Sequence, residues 1–197
     1  MLKTSIQVFI RQLPLYNTTM LKLNAAELRT TEPTEAQIKA IKKRPLYIIL
    51  DNVLDTYNVG SIFRLVDAVA AEKVYLCGET LTPPNPRIKK ASVSTWKWVQ
   101  WHYASTAVAA VSELKSQNSK TKIICVEQDA RSRPFNQVNY ELPLAIVVGN
   151  ETYGVSKEVL ELADMIVELP MFGVNRSLNV MVSLGIVLYQ IVGKSLS

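Results

Sequence analysis

At 197 residues, 48% of them hydrophobic and 20% charged, the chain can bury one sizeable core, and its composition excludes the disordered and fibrous classes. Lys and Arg number 22 against 17 Asp and Glu, a formal net charge of +5, a mild lean toward polyanions that assigns no partner by itself. The two cysteines, Cys77 in "VYLCG" and Cys125 in "KIICVEQ", lie in separate apolar runs, which excludes a disulfide framework or a metal spacing and marks both as reduced core residues.

Residues 1–44 read as an N-terminal extension without a strong strand pattern. The apolar stretch in "MLKTSIQVFIRQLPLY" is short and lacks a small-residue cleavage site, so no secretory signal is expected and a cytoplasmic location follows. In "TEPTEAQIKAIKKRP", Thr34 with Gln37 three residues on forms a capping box that predicts one helix ending before Pro45.

From Pro45 onward, short apolar runs alternate with helical patterns. "LYIIL" (46–50), "KVYLC" (73–77), "KIICV" (122–126), "LAIVVG" (144–149) and "MIVEL" (165–169) are uninterrupted and rich in β-branched residues, as suits parallel strands buried on both faces. "VGSIFRLVDAVAA", "TAVAAVSELKSQ" and "VSKEVLELAD" supply the intervening helices. The predicted architecture is α/β, an open layered sheet in residues 45–197, with ligands expected beyond the carboxyl ends of the strands.

Three loops follow strands there. In "DNVLDTYNVGSIFR", Asn58 is the expected helix N-cap and Gly60 permits a close backbone approach. An apolar stripe of Ile62, Phe63, Val66, Val69 and Ala70 turns Arg64 toward solvent, a substrate or another subunit. In "VVGNETYGVSKEVL", Gly149, Asn150, Glu151 and Gly154 precede a helix with Ser156 as expected cap. Glycines here let backbone amides reach a ligand, but the loop matches neither the P-loop nor the dinucleotide spacing, and on the local pattern a plain strand-to-helix turn is the favoured reading. The third, "LPMFGVNRSLN", delivers Ser177 and Asn179 to the entrance of an apolar helix, where polar side chains need partners. Simple capping by Ser177 and service to a ligand are equally consistent with the local pattern. The run from Leu178 to Val192 is short for a bilayer span and interrupted by Asn179, Ser183, Gly185 and Gln190, so a helix surrounded by protein is expected, with no membrane partner.

In this order and spacing, "NVGSIFR", "VVGNETYGVS" and "LPMFGVNRSLNVMVSLGIVLYQ" closely resemble the three motifs of the SpoU (TrmH-like) RNA 2'-O-ribose methyltransferases of the SPOUT superfamily, over roughly residues 45–193. The resemblance implies a SPOUT-type open, mainly parallel sheet flanked by helices, with a deep C-terminal trefoil knot, and a 1–44 extension that helps bind RNA. It also implies S-adenosyl-L-methionine as cofactor, tRNA or rRNA as substrate, and a homodimer whose active sites are completed across the subunit boundary. By motif position, Asn58, Arg64, Glu151, Ser177 and Asn179 correspond to catalytic-site residues. Leu144, Val148, Gly149, Asn150, Glu151, Leu169, Pro170, Met171, Gly173, Ser177 and Leu178 correspond to the cofactor cradle. The chain departs from many relatives after the basic "IKK", where "ASVSTWKWVQWH" replaces a glycine-containing small-residue stretch.

The implied reaction moves a methyl group from a sulfonium to a ribose 2'-hydroxyl, which must be aligned and relieved of its proton. A guanidinium stays protonated, so Arg64 is expected to bind the adjacent RNA phosphate and stabilise the developing alkoxide, not to act as base. His102, the single histidine, lies outside all three motifs and is expected to be dispensable. Trp96, Trp98, Trp101 and Tyr103 are expected mostly in packing rather than base stacking. Alternatives are an RNA base methyltransferase of the same fold, which the Ser-Leu-Asn entrance disfavours, and a catalytically inactive RNA-binding relative.

Overall fold

The computed structural model describes residues 22–24 and 27–194. The part of the extension formed by residues 1–21 and 25–26 lies outside the described residues. Helix α1 (Glu35–Lys39) carries the expected capping box, with Thr34 and Gln37 each bonding the other's backbone N–H. It stops at Ala40, so the predicted helix is shorter than the distance to Pro45 allowed.

The chain then builds β1 (Arg44–Asp51), α2 (Thr56–Ala68), β2 (Ala71–Cys77), α3 (Pro86–Ser92), β3 (Trp101–Ala104), α4 (Ala107–Gln117), β4 (Lys122–Val126) and β5 (Arg133–Pro134). It ends with β6 (Leu144–Gly149), α5 (Lys157–Leu162), β7 (Met165–Glu168) and α6 (Val180–Lys194). The seven strands form one sheet in the order β3-β2-β1-β6-β4-β7-β5, and every neighbouring pair is parallel. The five anticipated strands are present. The edge strands β3 and β5 fall outside the predicted set: "WHYA" has two exposed residues in succession, His102 and Tyr103, and "RP" is too short to make a pattern.

Helices cover both faces. Leu46, Ile48 and Leu50 of β1 point into a core shared with α2, α3 and α6, whereas Ile49 joins the opposite core under α4 and α5. This alternation explains the uninterrupted apolar runs of the central strands. Burial pushes both cysteine thiols up to about 12, so neither is a nucleophile near neutral pH.

Helix α6 departs from expectation. Leu184, Val187, Leu188 and Ile191 are buried, but Val182, Ile186 and Tyr189 are exposed on the other side. Among the described residues only one face of the helix is covered, so the expected enclosure by protein is met on that face alone. Among the described residues no helix is long and apolar enough to cross a membrane.

Candidate active site

The parallel strands bring the loops after β1, β6, β4 and β7 to one edge of the sheet. The chain runs outward from β1 through β2 to β3, then crosses to β4 beyond β6. The carboxyl ends of β1 and β6 therefore flank the topological switch, the place where open α/β sheets form a crevice.

Helix α2 starts there, but not at Asn58. Its N-cap is Asp55, whose carboxylate accepts from Tyr57 N–H at 2.8 Å. Asn58 sits inside the first turn, buried, and both ends of its amide are engaged. Its Nδ2 donates to Glu151 Oε1 at 3.0 Å, and its Oδ1 accepts from Asn179 Nδ2 at 2.9 Å. Asn58 stands three residues inside the terminus with both ends of its amide committed to other loops, and Asp55, at the terminus itself, closes it instead.

Glu151 also accepts backbone N–H bonds from Leu54 at 3.0 Å and Asp55 at 3.1 Å. Burial opposes ionisation of Glu151, but these bonds, that from Asn58 and one from its own N–H prevail and hold its carboxyl below its ordinary value. It is an ionised clamp rather than a proton donor at neutral pH.

Asn179, not Ser177, caps α6. Its Oδ1 accepts from Met181 N–H at 2.9 Å and from Val182 N–H at 3.4 Å, while its amino group reaches Asn58. One residue both caps the helix and joins the network. Ser177 is exposed, and its N–H bonds Asn175 Oδ1 at 3.4 Å.

Arg64 is not in this network. Six residues beyond Asn58 on α2, it lies about 9 Å further along the axis and roughly 120° around it. It is exposed on the side away from the Asn58 amide.

The β6 loop is stiffened by its own contacts. Asn150 and Gly154 exchange backbone bonds of 3.0 and 2.9 Å, and Asn150 Oδ1 accepts from Thr152 and Tyr153 N–H. A Cβ on Gly149 would come within 2.1 Å of the Gly154 carbonyl carbon, and one on Gly154 within 2.1 Å of Glu127 Oε2. These glycines thus admit other parts of the chain, the Gly154 backbone at Gly149 and the Glu127 carboxylate at Gly154. Asp51, buried at the end of β1, accepts from Ser156 N–H at 2.8 Å. Glu127 accepts from Val155 N–H at 2.9 Å. Ser156 stands at the α5 N-cap position without a side-chain capping bond; the carboxylate of Asp51 takes up that terminus instead.

The loop after β7 is open by contrast. Phe172 and Val174 are 97% and 102% exposed, Leu178 is exposed, and nothing lies within 4 Å of a Cβ built on Gly173. Among the described residues, Ser177 is the one residue of 171–178 whose backbone N–H donates a hydrogen bond. Uncommitted N–H groups beside uncovered apolar side chains leave this loop able to take a ligand with both polar and apolar parts. Leu169, Pro170 and Met171 begin this loop. Leu144 stands apart: it is fully buried at the opposite end of β6, about 16 Å from Gly149, and packs the core.

His102 lies on edge strand β3 with Nε2 3.6 Å from Glu113 Oε2 on α4, on the opposite face of the sheet from α2. Trp98 is buried and donates through Nε1 to Asp67 Oδ1 at 2.7 Å. Trp96 and Trp101 pack against the core, and Tyr103 is half exposed.

The model of the SpoU rRNA methylase family matches residues 45–189. The chain belongs to that family. It is 33% identical over 155 residues to the tRNA (guanosine(18)-2'-O)-methyltransferase of Aquifex aeolicus, covering 76% of this chain and 69% of the relative. To the enzyme of the same name from Thermus thermophilus it is 31% identical over 163 residues, covering 81% and 82%. Among solved structures, the A. aeolicus TrmH/SpoU tRNA modifying enzyme superposes with a TM-score of 0.70 at 28% identity, covering 87% of this chain and 84% of that one. The AdoMet-bound rRNA methyltransferase of Sinorhizobium meliloti gives 0.71 at 26% identity, covering 86% and 61%. The chain thus spans less than two thirds of the length of the Sinorhizobium protein. The family match accounts for the placement of the three motifs at one sheet edge, and it agrees with the seven-stranded parallel architecture.

Proposed function

We propose that the protein transfers the methyl group of S-adenosyl-L-methionine to a ribose 2'-hydroxyl of tRNA or rRNA. The observation that carries this reading is the network Glu151–Asn58–Asn179, which ties one side chain from each motif together at the switch of the sheet. Two relatives named as tRNA 2'-O-methyltransferases and the AdoMet-bound Sinorhizobium structure support it.

When bound, S-adenosyl-L-methionine supplies an electrophilic methyl on a sulfonium whose departing electrons stay on sulfur. The exposed loop 169–178, with Ser177 and Leu178 at its end and Val148 and Gly149 at its base, would hold it. The Glu151 clamp sets the angle between the loops after β1 and β6, and Asn179 joins the α6 entrance to both. This geometry fixes the approach of the ribose oxygen, where alignment contributes much of the rate. No amide of the network is a base. The proton leaves to water or to a neighbouring RNA phosphate, and the Arg64 guanidinium stabilises the developing alkoxide.

Within one subunit Arg64 points away from Asn58, so the arrangement favours a homodimer in which Arg64 of one chain completes the site of the other. The stripe Leu178, Val182, Ile186 and Tyr189, all exposed and spaced by four, four and three residues, suits such an interface. Residues 45–197 would then be the catalytic domain, with a deep trefoil knot at its C-terminal end, and residues 1–44 an RNA-binding extension. A cytoplasmic location belongs to the same proposal.

The test is incubation with methyl-labelled S-adenosyl-L-methionine and unmodified tRNA and rRNA pools, followed by alkaline hydrolysis. Label in alkali-resistant dinucleotides supports ribose methylation, because alkali needs a free 2'-hydroxyl. Label on bases moves the protein to base methylation, failure to bind the cofactor points to the inactive RNA-binding alternative, and cofactor binding without label points to a missing substrate, partner or activity.

A further inference from the structure

Outside the three motifs, one polar side chain reaches the loop that follows β7. Gln128, in the segment after β4, donates through Nε2 to the carbonyl oxygen of Arg176. Among the described residues this is the only hydrogen bond that ties any of residues 170–178 to another part of the chain, since the bond from Ser177 N–H to Asn175 Oδ1 stays inside the loop. A peptide unit is planar. The Arg176 carbonyl and the Ser177 N–H belong to one trans unit and point in opposite directions, so Gln128 on one side and Asn175 on the other fix its plane. Two residues on, Asn179 is held by α6 and by Asn58. Ser177 and Leu178 are thereby bracketed between a held peptide and a held cap.

Gln128 is itself aimed. The Glu127 carboxylate accepts from Gln128 N–H through Oε1 at 2.8 Å and from Val155 N–H through Oε2 at 2.9 Å, and Glu127 N–H donates to Val167 O of β7 at 3.0 Å. Gly154, at φ 71, leaves the space that this carboxylate fills. The two residues after β4 form a relay: Glu127 takes its position from the β6 loop, and Gln128 passes it to the loop after β7. Neither falls in the motifs that carry the family resemblance, and the sequence marks them only as the polar end of "KIICVEQ".

We propose that Gln128 is a positioning residue for the cofactor, holding the Arg176–Ser177 peptide in the orientation that receives S-adenosyl-L-methionine. The inference rests on the methyltransferase reading above and adds to it a fourth segment, the one after β4. Its physical basis is preorganisation: a loop already held in its binding conformation loses less freedom when the ligand arrives. The competing explanation is that the Arg176 carbonyl is exposed and takes a bond from water equally well, so that the Gln128 amide contributes nothing.

Trypsin separates the two without any cofactor, because the carbonyl that Gln128 holds belongs to the Arg176–Ser177 bond that trypsin cleaves, and Arg176 is exposed. The wild type is compared with Gln128→Ala, with the near-isosteric but non-donating Gln128→Glu, and with Gln128→His, whose ring keeps an N–H at comparable reach. Cofactor affinity, steady-state kinetics and thermal unfolding are measured on the same proteins. In the Ala and Glu variants cleavage after Arg176 should rise relative to cleavage after the exposed Lys120. Their Kd and KM for the cofactor should rise about 3- to 10-fold, the effect of one hydrogen bond. Saturated kcat, the KM for RNA and the melting temperature should stay as in the wild type, and Gln128→His should recover most of the affinity. Unchanged cofactor affinity in Gln128→Ala, a loss confined to kcat, or a loss that tracks lowered melting overturns the inference and leaves the methyltransferase reading in place. A wild type that binds no cofactor overturns that reading, and with it the cofactor role of Gln128, whatever the cleavage pattern.

Discussion

Asn179 donates its side-chain amide to Asn58 Oδ1 over 2.9 Å while its own carbonyl oxygen closes the first turn of α6. The two residues are 121 positions apart, so this bond fastens α6 to α2. Replacing Asn58 by Ala strands the Asn179 amino group and removes one donor from Glu151. The expected cost is about 1–3 kcal/mol of stability, read as a lower urea midpoint, with methyl transfer reduced more than cofactor binding.

Acid should act through Glu151. Its carboxyl lies below its ordinary value because the bonds from Asn58, Leu54, Asp55 and its own N–H outweigh burial. A depressed folded-state value means that the stabilisation is fully present above the unfolded-state value and is lost as pH falls through the folded one. The urea midpoint should therefore hold from neutral pH down to the ordinary carboxylate range and fall below it. Glu151→Gln should be less stable at pH 7 and show a shallower acid slope. Asp164, depressed by bonds from Ile123 N–H, Lys115 and Lys122 against the opposing effect of its burial, leaves a residual slope of the same sign.

The glycines of the site should not be equivalent. Gly149→Ala drives a methyl group into the Gly154 backbone, which cannot rotate away, so a loss of a few kcal/mol is expected, at or above the usual range for overpacking. Gly173→Ala meets nothing within 4 Å and should leave the melting temperature within a degree or two of the wild type. Equal effects would show that the β6 loop is not packed as described.

Arg64→Ala should lower kcat/KM by about 100-fold or more, the usual effect of deleting a donor to a developing oxyanion, without change in cofactor affinity or melting. Arg64→Lys tests whether charge suffices or the planar fork is needed. His102→Ala, on the far face of the sheet, should keep its turnover; loss of turnover with cofactor binding intact would overturn its assignment as dispensable.

Subunit crossing has its own test. If each site takes Arg64 from the partner, Arg64→Ala and Ser177→Ala proteins, each inactive alone, should regain activity when mixed and allowed to exchange subunits. Ile186→Glu should give a monomer by sedimentation and abolish transfer. A fully active monomer would place the whole site in one chain.

Much of this molecule was legible beforehand, for stated reasons. Five buried strands announce themselves as unbroken β-branched runs, and the α1 capping box is a four-residue pattern that local chemistry closes by itself. The motif order carried the family, since side chains at fixed offsets after parallel strands must converge at one sheet edge. What only the tertiary structure decided are the assignments that depend on residues far apart in sequence. Asn58 is a buried link rather than an N-cap because Glu151 and Asn179, 93 and 121 positions away, claim its amide. Asn179 rather than Ser177 caps α6 because its position lets one amide serve the helix and the network together. Gly149 lies against the Gly154 backbone and Gly154 against the Glu127 carboxylate, neighbours that only the fold brings together. Leu144 is core because strand direction puts it at the wrong end of β6, and α6 is half uncovered because a sequence shows how apolar a helix is, not how much of it the rest of the chain can reach.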